Sequence, residues 1–320
     1  MTAALSLQTK LIGKWQSAVR DAGGIRTKHQ ADARKLLTKA STPDQFWEAS
    51  AKTHSYAWRI AGVGILNIAD GDMKGLDMLA QAMWFPYWTI KTRLTCGWRP
   101  LGINEIGVTM TMLLWSGHFK EGKWLAKILL SNGVYCEWND TSYSGFFVKL
   151  ANVILGEPPS KTTEAVRPPM REYDEVFLAW DAPTAFTKAL HWLLERHDPF
   201  KEFPGWFLHF DCPHDFIPSE VLCLLRLRER ASLPVPQLNH LLLDTPVMKA
   251  CAKGLPPPGP DEMTELVIAK ATELIHDPRD DAWYDKLADE GLKKAAPHVW
   301  GQYVPIPNPF PPPVKGKKRK

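Results

Sequence analysis

The stretch from Asp211 to Met248 most constrains how this chain can fold, because its central helix has to be buried on most sides. The helical part, IPSEVLCLLRLRERASLPV, places Val221 and four leucines over most of the helix circumference. A surface helix carries its apolar residues in one stripe, so this breadth predicts a helix packed among others. Pro218 suits the first turn of this helix, and Pro234 and Pro236 end it.

Helical periodicity and turn signals predict further helices along the whole chain, and no convincing run of alternating strand residues occurs. Gly23 and Gly24 are expected to end the first helix, Thr42 to cap a helix that reaches Ala69, and Pro86 to kink or break the helix that contains it. The predicted helices lie near residues 3–21, 30–40, 43–69, 104–116, 121–131, 142–155, 172–180, 183–197, 218–231, 260–276 and 280–294, and one more contains Leu76, Leu79, Met83 and Trp84. The sequence therefore predicts an all-α fold.

A weak internal repeat supports an arrangement of stacked helical hairpins. GDMKGLDMLA, which begins at Gly71, and GHFKEGKWLA, which begins at Gly117, share four residues at an offset of 46. Each follows a predicted helix and contains a turn signal, and the offset suits one helical hairpin. No third copy follows, so the pattern indicates hairpins rather than a regular solenoid.

Charge is distributed unevenly along the chain, although the net charge is only +4. Residues 1–150 hold 18 basic and 11 acidic side chains, residues 151–300 hold 16 and 24, and the last twenty hold 5 basic ones. The change of sign coincides with GEPPSKTTEAVRPPMR, a segment rich in proline, serine and threonine. We predict a basic helical half over 1–155, a linker over 156–171, an acidic helical half over 172–303 and an extended proline-rich, basic tail over 304–320.

Cysteine usage and hydropathy predict a cytoplasmic protein. The five cysteines are odd in number, widely spread and without a CxxC pair, which is typical of a reducing compartment. The N-terminal MTAALSLQTKLIGKWQ lacks the basic region and long apolar core of a signal peptide. The longest apolar run, Ile60 to Ala69, is too short to span a membrane.

Two groups of residues could carry chemistry, but a structural role explains each of them better. The possible metal ligands are His209, Asp211, Cys212, His214 and Asp215. Their spacing matches no zinc motif, and a polar loop before a helix, with Asp215 helping to cap that helix, accounts for them. Cys223 has arginines nearby on its helix, but the surrounding leucines favour a buried structural cysteine.

Motifs for phosphate binding and hydrolysis are also missing from the sequence. Gly62-Val63-Gly64 lacks the third glycine and the preceding strand of a dinucleotide loop, and small residues at a helix crossing explain it better. No phosphate-binding GxxxxGK[ST], nucleophile-elbow GxSxG or HExxH occurs. We therefore predict no metal, no cofactor and no enzymatic activity.

The segment DPRDDAWYDKLADE, residues 277–290, is the best candidate for a partner-binding site. In a helix, Asp281, Asp285 and Asp289 lie on one face, where each like-charge pair costs about 0.2–0.5 kcal/mol. An unpaired acidic row tolerates this cost more readily if a basic partner uses it, and an ordinary solvated face is the alternative. The predicted binding residues are Asp280, Asp281, Trp283, Asp285, Asp289 and Glu290.

The helix IPSEVLCLLRLRERASLPV followed by NHLLLDTP resembles the C-terminal half of the all-helical immunity proteins that bacteria make against polymorphic toxins, including those of type VI secretion. This resemblance covers about one tenth of the chain. It implies a protein of interbacterial competition that binds a cognate secreted toxin and occludes it without catalysis. A cytoplasmic inhibitor with an acidic face suggests a basic, nuclease-like toxin as partner, with no direct contact to nucleic acid or membrane.

Two other functions are compatible with the sequence. A helical scaffold or adaptor would bind through a concave surface or through the tail VPIPNPFPPPVKGKKRK, whose prolines suit a groove domain and whose lysines suit nucleic acid or an acidic membrane. An enzyme would have its site near His209, Cys212 and His214.

Overall fold

The structure is a computed structural model, and it describes residues 3–20, 22–96, 101–131, 141–159, 171–197, 216–258 and 261–294. These residues form helices and no β-strand, which confirms the all-α prediction. The helices are α1 (Ala3–Arg20), α2 (Ala22–Lys39), α3 (Pro43–Lys52), α4 (His54–Ala69), α5 (Lys74–Arg93), α6 (Ile103–Trp115), α7 (Phe119–Ser131), α8 (Thr141–Ile154), α9 (Arg171–Leu178), α10 (Pro183–Arg196), α11 (Ser219–Arg230), α12 (Pro246–Ala250), α13 (Glu262–Leu274) and α14 (Asp281–Lys294). Within the described part of the chain, no helix has the length and apolar character needed to cross a membrane.

The hairpins α4–α5 and α6–α7 turn in the same way and stack through α5 and α6. Gly71 and Gly117, the first residues of the repeated segments, have φ angles of 87° and 90°, a conformation that glycine adopts without strain. The residue after each glycine donates its N–H to the carbonyl five positions earlier, at 2.7 Å and 2.9 Å. This bond ends a helix at a left-handed glycine, so the repeat corresponds to two similar helical hairpins.

Glycines allow the helices of these hairpins to approach closely. A Cβ atom built on Gly64 of α4 would lie 2.7 Å from the carbonyl oxygen of Gly75 in α5, and one on Gly75 would lie 2.2 Å from the oxygen of Gly64. The ring of Phe147 in α8 covers Gly107 of α6 at a comparable distance. The predicted role of Gly64 at a helix crossing is therefore confirmed.

The helix expected to run from residue 43 to Ala69 is two helices. The predicted cap is confirmed, because Thr42 Oγ1 accepts the N–H of Gln45 at 3.3 Å. Thr53 then ends α3, because both its N–H (3.2 Å) and its buried hydroxyl (2.6 Å) donate to the carbonyl of Ser50, three residues earlier. A new helix, α4, starts at the next residue.

Two expected interruptions differ from the structure: the helix end at Gly23 and Gly24 was wrong, and Pro86 does not break its helix. Gly23 and Gly24 lie inside α2, and only one residue separates α1 from α2. Pro86 lies inside α5, which continues to Arg93. Glycine costs about 1 kcal/mol and proline about 3 kcal/mol inside a helix, and in both helices tertiary packing outweighs this local cost. Pro86 itself is buried, and α5 packs on α3, α4, α6 and α13.

Helices from beyond residue 171 pack directly on helices from before residue 155. α11 lies on α6, α14 on α7, α12 on α1 and α4, and α13 on α2, α3 and α5. Buried residues from Leu11 to Ala288 belong to one hydrophobic core. The division into two halves at 156–171 stays a prediction, and residues 160–170 and the tail 304–320 lie outside the described residues.

Candidate partner-binding face

The predicted binding residues lie at the start of α14 and on two of its sides. Asp281, Asp285 and Asp289 share one side, and Trp283 and Glu290 lie on the opposite one. Asp280 lies at the start of the helix. Its Oδ1 accepts the N–H of Trp283 at 3.2 Å, which caps the helix. Its Oδ2 lies 2.8 Å from Nε2 of His276. These two hydrogen bonds hold the pKa of Asp280 below its ordinary value, so the carboxylate is charged.

Trp283 is a half-buried aromatic side chain in a fixed orientation. Its ring stacks on that of His276, with ring centroids 4.2 Å apart and an interplanar angle of 29°. Tyr284 meets the same indole edge-on at 4.8 Å. Because Asp280 bonds to His276 as well as to the backbone of Trp283, one carboxylate fixes both stacked rings.

Asp281 bonds to two lysines of the N-terminal helices. Its Oδ1 accepts from Lys91 Nζ in α5 at 2.6 Å, and its Oδ2 accepts from Lys120 Nζ in α7 at 2.7 Å. Burial acts to raise the pKa of Asp281, but the hydrogen bonds and charges of Lys120 and Lys91 outweigh it and lower that pKa. The same contact raises the pKa of Lys120.

Lys91 is buried, with 1% of its surface exposed, and four aromatic rings surround its ammonium group. The Nζ atom lies 5.6 Å from the ring centroid of Tyr87, 5.3 Å from Trp88, 5.7 Å from Trp124 and 4.9 Å from Tyr284. We call these four rings and Asp281 the Lys91 cage. Each ring lies within the distance at which its face attracts a cation.

The Lys91 cage joins three helices, and both of its tyrosines are buried. Burial raises the pKa of the Tyr87 and Tyr284 hydroxyls far above the ordinary value, so both rings are neutral. Trp124 also donates its Nε1–H to the carbonyl oxygen of Tyr284 at 3.3 Å. Helices α5 and α7 therefore contribute three rings, and α14 contributes the fourth ring and the carboxylate.

The acidic row is not unpaired, which corrects the premise of the sequence prediction. Asp281 pairs with two lysines, and Asp289 pairs with Lys127 of α7 at 2.6 Å. The physical reason is that the row faces α7, on which α14 packs. In the described residues, Asp285 and Glu290 form no ion pair, and both are half-buried.

Basic residues of the first predicted half form ion pairs with acidic residues of the second half. Ion pairs in the described part of the chain join the halves, and each has its base before residue 155 and its acid after residue 171. These pairs are Arg34–Glu262, Lys91–Asp281, Lys120–Asp281, Lys127–Asp289 and Lys149–Asp174. Part of the charge asymmetry therefore reflects how the chain packs on itself.

The alternative sites have different outcomes. Cys223 is fully buried, and burial raises its pKa far above that of a free thiol, in agreement with a structural cysteine. His209, Asp211, Cys212 and His214 lie outside the described residues. Within the described ranges, no three histidine, cysteine or acidic side chains form a group that could hold a metal ion.

Sequence reasoning missed a buried polar cluster where α6, α10 and α11 meet. Nε2 of His197 bonds to Oε1 of Glu220, and both side chains are inaccessible to solvent. The hydroxyls of Ser219 and Thr111 are 2.9 Å apart beside it. Buried polar groups are costly unless they are paired, so this cluster fixes how α11 sits on its neighbours.

Lys91 was also missed, although the sequence carries a signal for it. It follows the aromatic run WFPYW and stands four residues after Tyr87 and three after Trp88. On a helix these spacings place a cation beside two rings. Only the fold adds the rings of Trp124 and Tyr284.

No protein-family model, no curated protein and no solved structure matches this chain significantly.

Proposed function

We propose that this chain is an immunity-type binding protein, which neutralises a basic, secreted antibacterial toxin by covering the toxin's active surface. The observation that carries the proposal is the half-buried Trp283, which stacks on His276 beside the carboxylate of Asp280. Tryptophan is enriched among the few residues that dominate binding energy in protein interfaces. A side chain that is already ordered loses little further freedom when a partner covers it.

The carboxylates divide into two groups with different roles in this proposal. Asp281 and Asp289 are engaged by lysines and hold α14 on α5 and α7. Asp285, in the acidic row, and Glu290, on the side of α14 that carries Trp283, form no ion pair in the described residues and are the carboxylates that we propose to meet the partner. A basic partner is favoured because carboxylates that form no ion pair attract it and speed its association.

The resemblance of the α11 region to immunity proteins supports a toxin as the partner. In this proposal the protein acts by occlusion in the cytoplasm and without chemistry of its own. A nuclease-like toxin fits the acidic face, because a protein that binds nucleic acid carries a complementary basic surface.

The test compares three tagged versions of the protein as baits in lysate of the native cell. The first is the wild type, the second carries Asp285→Lys and Glu290→Lys, and the third carries Glu229→Lys and Glu273→Lys. The third is a matched control, because both glutamates are 59% exposed and make only pairs within their own helix. A basic partner retained by the wild type and the control, but lost from the second bait, supports the proposal.

The captured protein is then expressed alone and together with each version. We expect the captured protein to be toxic when it is expressed alone. The wild type and the control should relieve this toxicity, and the Asp285→Lys, Glu290→Lys variant should not. Trp283→Ala should weaken binding by about thirtyfold or more, since interface tryptophans often contribute at least 2 kcal/mol. Equal binding by all versions, or a partner that is not toxic, would contradict the proposal. Loss of the partner on deletion of residues 304–320 would instead support the adaptor function.

A further inference from the structure

We infer that the Lys91 cage is an ammonium-binding site that docks α14, and that it binds a free alkylammonium ion once the lysine side chain is removed. The inference rests on the position of a fully buried cation among four rings and one carboxylate. The docking of α14 also positions the partner-binding residues, and this consequence rests on the proposed function. The docking itself does not depend on any partner.

A buried ammonium group has to replace the hydration that it loses. Lys91 Nζ carries three N–H groups, and Asp281 is its one hydrogen-bond acceptor in the described residues. The remaining charge faces the rings of Tyr87, Trp88, Trp124 and Tyr284, at 4.9 to 5.7 Å. Because ring faces attract cations more strongly when the cation is desolvated, these rings stabilise the buried ammonium group.

The geometry favours an ammonium group over other cations and over neutral groups. The rings surround one point at similar distances, which suits a compact charge rather than the planar guanidinium group of arginine. A neutral occupant would leave the carboxylate of Asp281 without its buried counter-charge. The ring faces and the carboxylate of Asp281 therefore both favour a positively charged occupant.

The cage is complete only when α14 is in place. Tyr284 provides the nearest ring and Asp281 the carboxylate, and both belong to α14. The other three rings come from α5 and α7 and are present without α14. Occupation of the cage thus favours the docked position of α14, and an empty cage removes one of its attachments.

Lys91→Ala, analysed by thermal unfolding without any partner, tests this inference. The substitution removes three carbons and the ammonium group, which n-propylammonium replaces in shape and charge. We expect a lower melting temperature than in the wild type, and a rise of about 2–4 °C with ~100 mM n-propylammonium if the site has a Kd of ~10 mM. Asp281, which is 47% exposed, places the carboxylate of the cage next to solvent.

Three controls separate ammonium binding from other effects. Potassium chloride at equal concentration controls for ionic strength, and 1-propanol has the same shape without the charge. Lys120→Ala removes the exposed lysine from the same carboxylate but leaves the cage filled, so it should not respond to n-propylammonium. Equal stabilisation by 1-propanol, or no stabilisation by n-propylammonium, would overturn the inference.

A second measurement uses the wild-type protein, so the test does not depend on a folded variant. The ε-methylene protons of Lys91 should resonate far upfield of other lysines in the NMR spectrum, because four ring faces surround the adjacent ammonium group. Unshifted ε-methylene resonances would refute the cage. Because neither readout involves a partner, failure of this inference is distinguishable from failure of the proposed function.

Discussion

Replacement of Gly75 by alanine tests the close crossing of α4 and α5, on which the packing of the central hairpin depends. The added Cβ would lie 2.2 Å from the carbonyl oxygen of Gly64 and 2.7 Å from Cγ1 of Ile68. Since real Cβ atoms essentially never approach below 3.0 Å, the helices would have to separate by roughly 0.8 Å. Overpacking of this kind costs about 1–3 kcal/mol, and a clash with backbone lies at the upper end of that range.

The same substitution at Gly13 provides a matched control with the opposite expected sign. Gly13 lies in helix α1 and is exposed, and a Cβ atom added there would have no neighbouring atom within 4 Å. Alanine is better than glycine inside a helix by about 0.8–1.0 kcal/mol, so Gly13→Ala should stabilise the protein. The two variants should therefore differ by about 3 kcal/mol or more.

Thermal unfolding, followed by circular dichroism at one protein concentration and one heating rate, measures the difference. Gly13→Ala should raise the melting temperature by about 1–3 °C, and Gly75→Ala should lower it by about 3–8 °C. The fourteen tryptophans provide a second signal by fluorescence. If Gly75→Ala were as stable as the wild type, the close contact between the two helices would be refuted.

Two further predictions concern the charged groups. The pKa of Asp281 is lower in the folded protein than its ordinary value, so its bonds to Lys91 and Lys120 stabilise the fold fully above about pH 5 and are lost as the pH falls through the folded-state pKa. The difference in melting temperature between wild type and Asp281→Asn should thus be constant at neutral pH and shrink in acid, and a difference independent of pH down to about 3 would contradict this. Glu220→Ala should destabilise the protein by about 1–3 kcal/mol, because it removes a buried hydrogen-bond partner of His197. Denaturant unfolding measures this loss, and a loss below about 0.5 kcal/mol would contradict the pairing.

The acidic row of α14 shows how a sequence prediction was correct in one respect and wrong in another. The spacing of Asp281, Asp285 and Asp289 predicted a shared helix face, and α14 spans Asp281–Lys294. The row was assumed to lack basic neighbours, but Lys91 and Lys127 pair with its two ends. Helical spacing shows which residues share a face, and it contains no information about what that face meets.

Local sequence signals determined the helices and several of their ends. Apolar periodicity, the Thr42 cap and the glycines at positions 71 and 117 act within a few residues, so they are legible without the fold. Tertiary packing determined the structure at positions where it outweighed local signals, as at Pro86, which remains inside a buried helix. It also decided the partners of charged groups: Lys91 and Asp281 are 190 residues apart in sequence and 2.6 Å apart in space. Contacts of this range depend on how whole helices pack, which no local pattern encodes.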